Sequence, residues 1–176
     1  AASDVYKRQL LPMLISTAGV FASIIAIFII KGMVSRYKQN ATVSKLTTTT
    51  LSGLFITSIL IILFSFFITW YVMGTGYMYI FYASICGLLA GFLIGLFTLL
   101  YTDAKFRPTR NIAESAKSGP ATLVVNGLAY GMESTVLPAF IVIISMVFSF
   151  YISGGSSNVQ IGLYGVSVAA VAMLSV

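Results

Sequence analysis

Five stretches of this chain are apolar over about 18 residues or more, which is the length an α-helix needs to cross the hydrocarbon core of a bilayer. They cover residues 10–30, 51–72, 78–101, 120–151 and 159–176. Only 8% of the residues are charged, whereas soluble globular domains carry about 25%. The sequence therefore predicts an all-α, polytopic membrane protein with five transmembrane helices.

The basic residues are concentrated in two of the four connections between these stretches. Residues 31–50 contain four of them, and residues 102–119 contain four more together with two acids. The other two connections carry no charge. The positive-inside rule places such basic loops in the cytoplasm. The net charge of +6 is therefore interpreted as a membrane topology signal, and no nucleic-acid partner is expected.

The two ends of the chain differ from the rest. Residues 1–9, AASDVYKRQ, are polar and join the first apolar stretch abruptly. They are predicted to be a leader or tag outside the fold, which leaves 10–176 as the transmembrane part. The last stretch stops at Val176 without a basic or aromatic flank. A span that enters the cytoplasm normally reaches one, so the chain is predicted to be a fragment.

Small residues recur four positions apart in the third and fourth stretches, and the fifth stretch is also rich in them. This spacing lets two membrane helices approach closely. The residues predicted to pack helix against helix are Gly87, Gly91, Gly95, Gly127, Gly131 and Gly165.

The second basic loop offers two interpretations. Its four basic residues either form a solvated segment that sets the topology, or line the approach of an anionic substrate. The candidates for substrate approach are Lys105, Arg107, Arg110 and Lys117.

Glu133 lies inside the fourth apolar stretch. An acid at the bilayer centre costs on the order of 3 kcal/mol, so such residues are candidates for an ion pathway. The other interpretation makes Glu133 part of the scaffold, either neutral or paired with a polar residue such as Asn126.

Catalytic and metal-binding residue types are scarce. The chain has no histidine and four acids, Asp4, Asp103, Glu114 and Glu133. Magnesium needs several oxygen ligands around one ion, and these four acids are not spaced to share one. The sequence therefore predicts no metal site and no catalytic residue within this chain. A secondary transporter or channel subunit without enzymatic activity also suits a glycine-rich bundle with one acid.

Two motifs carry a resemblance to a known family. RPTRNIAESAKSGPATLVVNGLAYGMESTVLPAF, residues 107–140, and GLYGVSVAAVAMLS, residues 162–175, resemble the membrane-bound, ion-pumping inorganic pyrophosphatases. The match includes the G-L-A-x-G element and the S-x-x-x-P element. Two positions depart from the family pattern: Leu99 stands where many members have glutamate, and Ala172 where glycine is usual.

The resemblance implies a function for the longer protein. It implies an internal fragment of an about sixteen-helix subunit that hydrolyses magnesium pyrophosphate and pumps H⁺ or Na⁺. It further implies Mg²⁺ ligands outside this chain, a possible K⁺ requirement and a homodimer. The fragment by itself is expected to be an inactive, mainly outer-ring scaffold.

Overall fold

The computed structural model describes residues 2–35, 43–74 and 77–175, and within these ranges every regular element is a helix. The α-helices are α1 (Ala2–Ser35), α2 (Val43–Met73), α3 (Met78–Thr102), α4 (Arg107–Ser115), α5 (Pro120–Ile152) and α6 (Val159–Leu174). A 3-10 turn over Ala116–Ser118 follows α4. The predicted all-α membrane fold is thus confirmed.

Four of the helices, α1, α2, α3 and α5, are long and apolar enough to cross a membrane by length and composition. The fifth predicted span corresponds to α6, a shorter apolar helix of 16 residues. At 1.5 Å per residue α6 is about 24 Å long, against a hydrocarbon core of about 30 Å.

Two predicted boundaries differ from the structure. The first helix begins at Ala2, so no break in the helix separates residues 2–9 from the first apolar stretch. The second begins at Val43, eight residues before its apolar stretch, because the polar residues there contain no proline or glycine that would end a helix. Arg36 and Lys38 of the first basic loop lie outside the described residues.

Helix α3 packs against α2, α4, α5 and α6 and forms the centre of the bundle, and α6 packs against α1, α3 and α5. Helix α6 runs parallel to α3, since Ala169 lies against Gly87 and Met173 against Gly91. Helices α2 and α5 are antiparallel to α3. The buried apolar core is formed by Leu11, Ile15, Ala22, Ile61, Ile80, Leu88, Val168 and Ala172.

Buried hydroxyl groups connect the helices. The Ser65 and Ser84 hydroxyls are 2.9 Å apart, which joins α2 to α3. The Ser149 hydroxyl donates to the carbonyl oxygen of Gly165 at 2.9 Å, which joins α5 to α6. In an apolar surrounding such bonds fix the register between helices, because an unpaired hydroxyl would be costly.

Candidate functional site

A group of polar side chains lies where α3 ends. Tyr101, in the last turn of α3, donates its hydroxyl to Glu133 Oε1 of α5 at 3.3 Å. Sequence reasoning suggested Asn126 as a partner for Glu133, but the partner in the structure is a tyrosine from another helix. The acid is exposed in this structure.

The contact with Tyr101 fixes the depth of Glu133. Because α3 ends at Thr102, Glu133 is level with the end of that helix. Helix α3 has 25 residues and is about 37 Å long, more than the hydrocarbon core of about 30 Å. The part of α5 that follows Glu133, residues 134–152, extends about 28 Å, enough to cross nearly all of that core. Glu133 is therefore level with one end of α3, and not with the middle of that helix.

Helix α4 is held against this group by side-chain hydrogen bonds. Thr109 donates its hydroxyl to the carbonyl oxygen of Tyr101 at 3.1 Å. Asn111 donates to the Tyr130 hydroxyl at 2.7 Å. At the other end of α4, Thr122 donates to the carbonyl oxygen of Ser115 at 3.4 Å. The first turns of α4 are thus fixed beside the end of α3.

The turn that closes this segment depends on one glycine. Gly119 has a φ of 123° and precedes Pro120, the first residue of α5. Only glycine adopts this backbone conformation without steric cost, and proline suits the first turn of a helix. The sequence Gly119-Pro120 therefore sets where α5 begins.

Asp103 connects the end of α3 to the start of α2. Its Oδ1 accepts the Lys105 backbone N–H at 3.0 Å, and it is also hydrogen-bonded to the Thr47 side chain. The bond from Thr47, followed by that from Lys105, holds the pKa of Asp103 below its usual range. The side chain is 9% exposed. Asp103 is therefore an ionised group with a structural role in the loop outside the spanning helix.

The four basic candidates fall into two separate places, and all of them are exposed. Lys105, Arg107 and Arg110 directly follow α3, so they lie close to the level of Glu133. Lys117 lies beside the start of α5, and Glu133 is thirteen positions after Pro120, which corresponds to about 20 Å of helix. The structure thus does not bring the four candidates together into one site.

The predicted packing glycines also differ in their surroundings. A Cβ built on Gly87 would overlap the Ala169 carbonyl, and one on Gly91 would lie 2.9 Å from the Met173 carbonyl oxygen. A Cβ on Gly165 would overlap the Ser153 side chain. By contrast, Gly127 and Gly131 have nothing within 4 Å of such a Cβ among the described residues. The packing predicted for this pair is therefore not made within the described chain.

Gly95 is intermediate between these cases. A Cβ there would lie 3.3 Å from Leu54 Cδ1, the end of a flexible side chain on α2.

The described residues do not fit a magnesium site. Among them no group of three or more His, Cys, Asp or Glu side chains could hold a metal ion. Asp103 is bonded to α2 and its own loop, and Glu133 to Tyr101. Mg²⁺ requires several oxygen ligands in octahedral geometry, and the described residues do not supply such a set.

Comparison with known sequences identifies the family. The sequence model of the family described as inorganic H⁺ pyrophosphatase matches residues 5–176. The chain belongs to this family. The resemblance noted in residues 107–140 and 162–175 is thus confirmed, and the match extends over almost the whole chain.

Individual members of the inorganic H⁺ pyrophosphatase family are similar to this chain. A Bacteroides thetaiotaomicron protein, provisionally named a K(+)-stimulated pyrophosphate-energized sodium pump, is 40% identical over 97% of the chain. A Clostridium tetani protein with the same provisional name is 36% identical over 93%. A Methanosarcina mazei protein named a K(+)-insensitive pyrophosphate-energized proton pump is 34% identical over 97%. The chain spans 23% of the first and second of these relatives and 24% of the third.

Sequence reasoning missed several residues of this pyrophosphatase-family chain that hold the polar group together. Tyr101, Tyr130, Asn111 and Thr47 were not singled out as site residues, because no sequence pattern links them to Glu133 or Asp103. A tyrosine at the end of an apolar stretch is typical of a membrane interface, and Tyr101 occupies such a position. That pattern indicates depth in the membrane, but it does not identify Glu133 as the partner.

Proposed function

We propose that this chain is a membrane-embedded part of a pump that couples pyrophosphate hydrolysis to the transport of H⁺ or Na⁺. The observation that carries the proposal is the family match over residues 5–176. The names of the relatives, which include both sodium and proton pumps, support it. Family membership favours the pump over a secondary transporter or channel subunit.

Within this proposal the chain serves mainly as outer-ring scaffold, and the catalytic groups belong to other parts of the longer protein. The scarcity of acids in the sequence supports this division. The Mg²⁺ that assists pyrophosphate hydrolysis would be bound by residues outside this chain. We propose K⁺ as a possible second cofactor, because two of the relatives are named K(+)-stimulated. We also propose that the longer protein is a homodimer, because of the family resemblance.

We also propose that residues 31–50 and 102–119 face the cytoplasm. The charge asymmetry between connections supports this orientation. The hydrogen bond between Asp103 and Thr47 supports it as well, because it places parts of both segments at the same end of the bundle.

The direct test uses the full-length protein, purified and reconstituted into sealed vesicles. Phosphate release is measured on addition of pyrophosphate with Mg²⁺, with and without K⁺, while H⁺ and Na⁺ movements are followed by a pH-sensitive dye and by tracer uptake. We expect pyrophosphate-dependent phosphate release accompanied by net movement of one of these cations. Transport driven only by a preformed ion gradient, with no pyrophosphate hydrolysis, would identify a secondary transporter instead.

Replacing Glu133 with glutamine is expected to leave the number of ions moved per pyrophosphate unchanged. The side chain is exposed, level with the end of α3 and bonded to Tyr101, so the change weakens one exposed hydrogen bond and is expected to lower the melting temperature only slightly. Transport and hydrolysis are measured on the same vesicles, together with the melting temperature in detergent.

Glu114→Gln is the matched control for this variant, because it removes an exposed acid from α4 without touching the contact between Tyr101 and Glu133. If Glu133→Gln abolished transport while hydrolysis continued at the normal rate, Glu133 would belong to the ion pathway and the scaffold role would be wrong.

A further inference from the structure

Three basic residues and one aromatic residue directly follow the third membrane helix. We call Lys105, Phe106, Arg107 and Arg110 the basic rim. The three basic side chains are exposed, and the Phe106 ring is 36% exposed. A basic cluster beside a spanning helix is typical of segments that contact anionic lipids. Aromatic side chains are favoured at the same depth, where the headgroups meet the acyl chains.

The structure holds the basic rim at the level of the lipid headgroups. Helix α3 exceeds the thickness of the hydrocarbon core by only about 7 Å, so the residue after its end lies in the headgroup region. The basic rim is held in this position, because Thr109 and Asn111 of α4 are hydrogen-bonded to Tyr101 and Tyr130. Its backbone is further tied by the bond from Phe106 N–H to the Asp103 carbonyl oxygen at 3.2 Å.

The charge at this level is complementary to an anionic surface. The acids placed there by the structure are Asp103 and Glu133, and both accept hydrogen bonds from within the chain. Glu114 lies further from the membrane, since its neighbour Ser115 is bonded to Thr122, eleven residues or about 16 Å along α5 from Glu133. Lys105 interacts electrostatically with Asp103, so the positive charge of Arg107 and Arg110 remains to meet an anionic surface.

We propose that the basic rim binds the phosphate groups of anionic lipid headgroups, with the Phe106 ring at the interface below them. The ligand chemistry is a phosphate anion, and the source is the lipid and not free pyrophosphate. Exposed cations fit a layer of headgroups better than a single enclosed ligand, which needs groups that converge on it. Such contacts would anchor α4 and fix the height of α5 in the membrane.

Lys117 is a control residue for lipid binding, because it carries the same charge at a different level of the structure. It belongs to the same loop and is also exposed, but it lies about 20 Å along α5 from the level of Glu133. Charges separated by more than the Debye length, about 8 Å at physiological salt, are largely screened. Lys117 is therefore expected to contribute little to lipid binding, although it carries the same charge.

The test uses the full-length protein in phosphatidylcholine vesicles that contain a photoactivatable phosphatidylglycerol at low concentration. Adducts on the peptide that holds residues 102–119 are quantified by mass spectrometry and normalised to adducts on the rest of the protein. Arg107→Gln and Arg110→Gln are each expected to lower this yield about fivefold, the effect of one basic charge near a membrane surface. Lys117→Gln is expected to leave the yield unchanged.

Two further measurements separate this role from the alternatives. The double variant Arg107→Lys and Arg110→Lys keeps both charges and is expected to retain the adducts. The KM for pyrophosphate, measured in vesicles of phosphatidylcholine alone, is expected to be the same in all variants. This second readout also shows that each variant is folded.

Three results would overturn the proposal. The first is an unchanged adduct yield in both arginine-to-glutamine variants. The second is an equal loss in Lys117→Gln, which would mean that depth in the membrane does not matter. The third is a raised KM for pyrophosphate in the arginine variants without anionic lipid, which would assign these residues to substrate approach.

Discussion

Replacing Gly87 with alanine is expected to destabilise the full-length protein by about 1–3 kcal/mol, the usual cost of forcing an extra methyl group into a packed interior. The added Cβ would overlap the backbone carbonyl of Ala169. A backbone atom inside a helix cannot rotate away, so α3 and α6 must separate. The effect should appear as a lower melting temperature of the purified protein in detergent.

Gly95→Ala is the matched control for this prediction. It makes the same substitution on the same helix, two turns further on, where the new methyl group meets only the flexible end of Leu54. Alanine is also the better helix former, so this variant should be neutral or slightly stabilising. Equal melting temperatures for the two variants would show that α3 and α6 do not approach as closely as the structure indicates.

The second large effect is expected at the contact between α5 and α6. A Cβ on Gly165 would overlap the Ser153 side chain and lie 3.3 Å from the Ser149 carbonyl oxygen. Gly165→Ala is therefore expected to cost about 1–3 kcal/mol. It should also disturb the hydrogen bond from the Ser149 hydroxyl to the Gly165 carbonyl oxygen.

A double-mutant cycle makes this prediction specific. Ser153 is buried, and its hydroxyl has no hydrogen-bond partner among the described residues, so Ser153→Gly removes the obstructing atoms without breaking a bond. In the double variant the two changes should compensate, with a coupling energy of about 1–2 kcal/mol. Additive losses in melting temperature would mean that Gly165→Ala acts through something other than Ser153.

The parts of the fold that sequence predicted well are those set by local composition. Long apolar stretches identified the spans covered by α1, α2, α3 and α5, because every backbone group in lipid must be bonded within its own segment. Helix ends were predicted less well. Proline and glycine marked the start of α5 at Pro120, but no such residue marked the start of α2 at Val43.

The polar group at the end of α3 could not be predicted in the same way. Glu133 was placed at membrane depth because its neighbours in sequence are apolar. That inference assumed that the whole apolar stretch lies within the bilayer, whereas α5 is a helix of 33 residues, longer than the membrane requires. The contact with Tyr101 sets Glu133 level with the end of α3, and it joins residues 32 positions apart.

The glycine pattern also shows that sequence spacing does not predict contacts between helices. Residues Gly87, Gly91, Gly127 and Gly131 share one spacing, yet only the first pair lies against another described helix. Spacing determines that small residues fall on one face of a helix. It does not determine which helix, if any, that face meets.

The sequence by itself determined that the chain is a membrane protein, that it is all-helical and which family it belongs to. These properties follow from composition and from contiguous motifs. The tertiary structure alone decided how the helices are positioned along one another, and so placed Glu133 level with the end of α3 and separated Lys117 from the other basic residues. The physical reason is that depth depends on contacts between helices that are distant in the chain. The free energy of inserting an apolar helix changes little when a long helix slides by one turn.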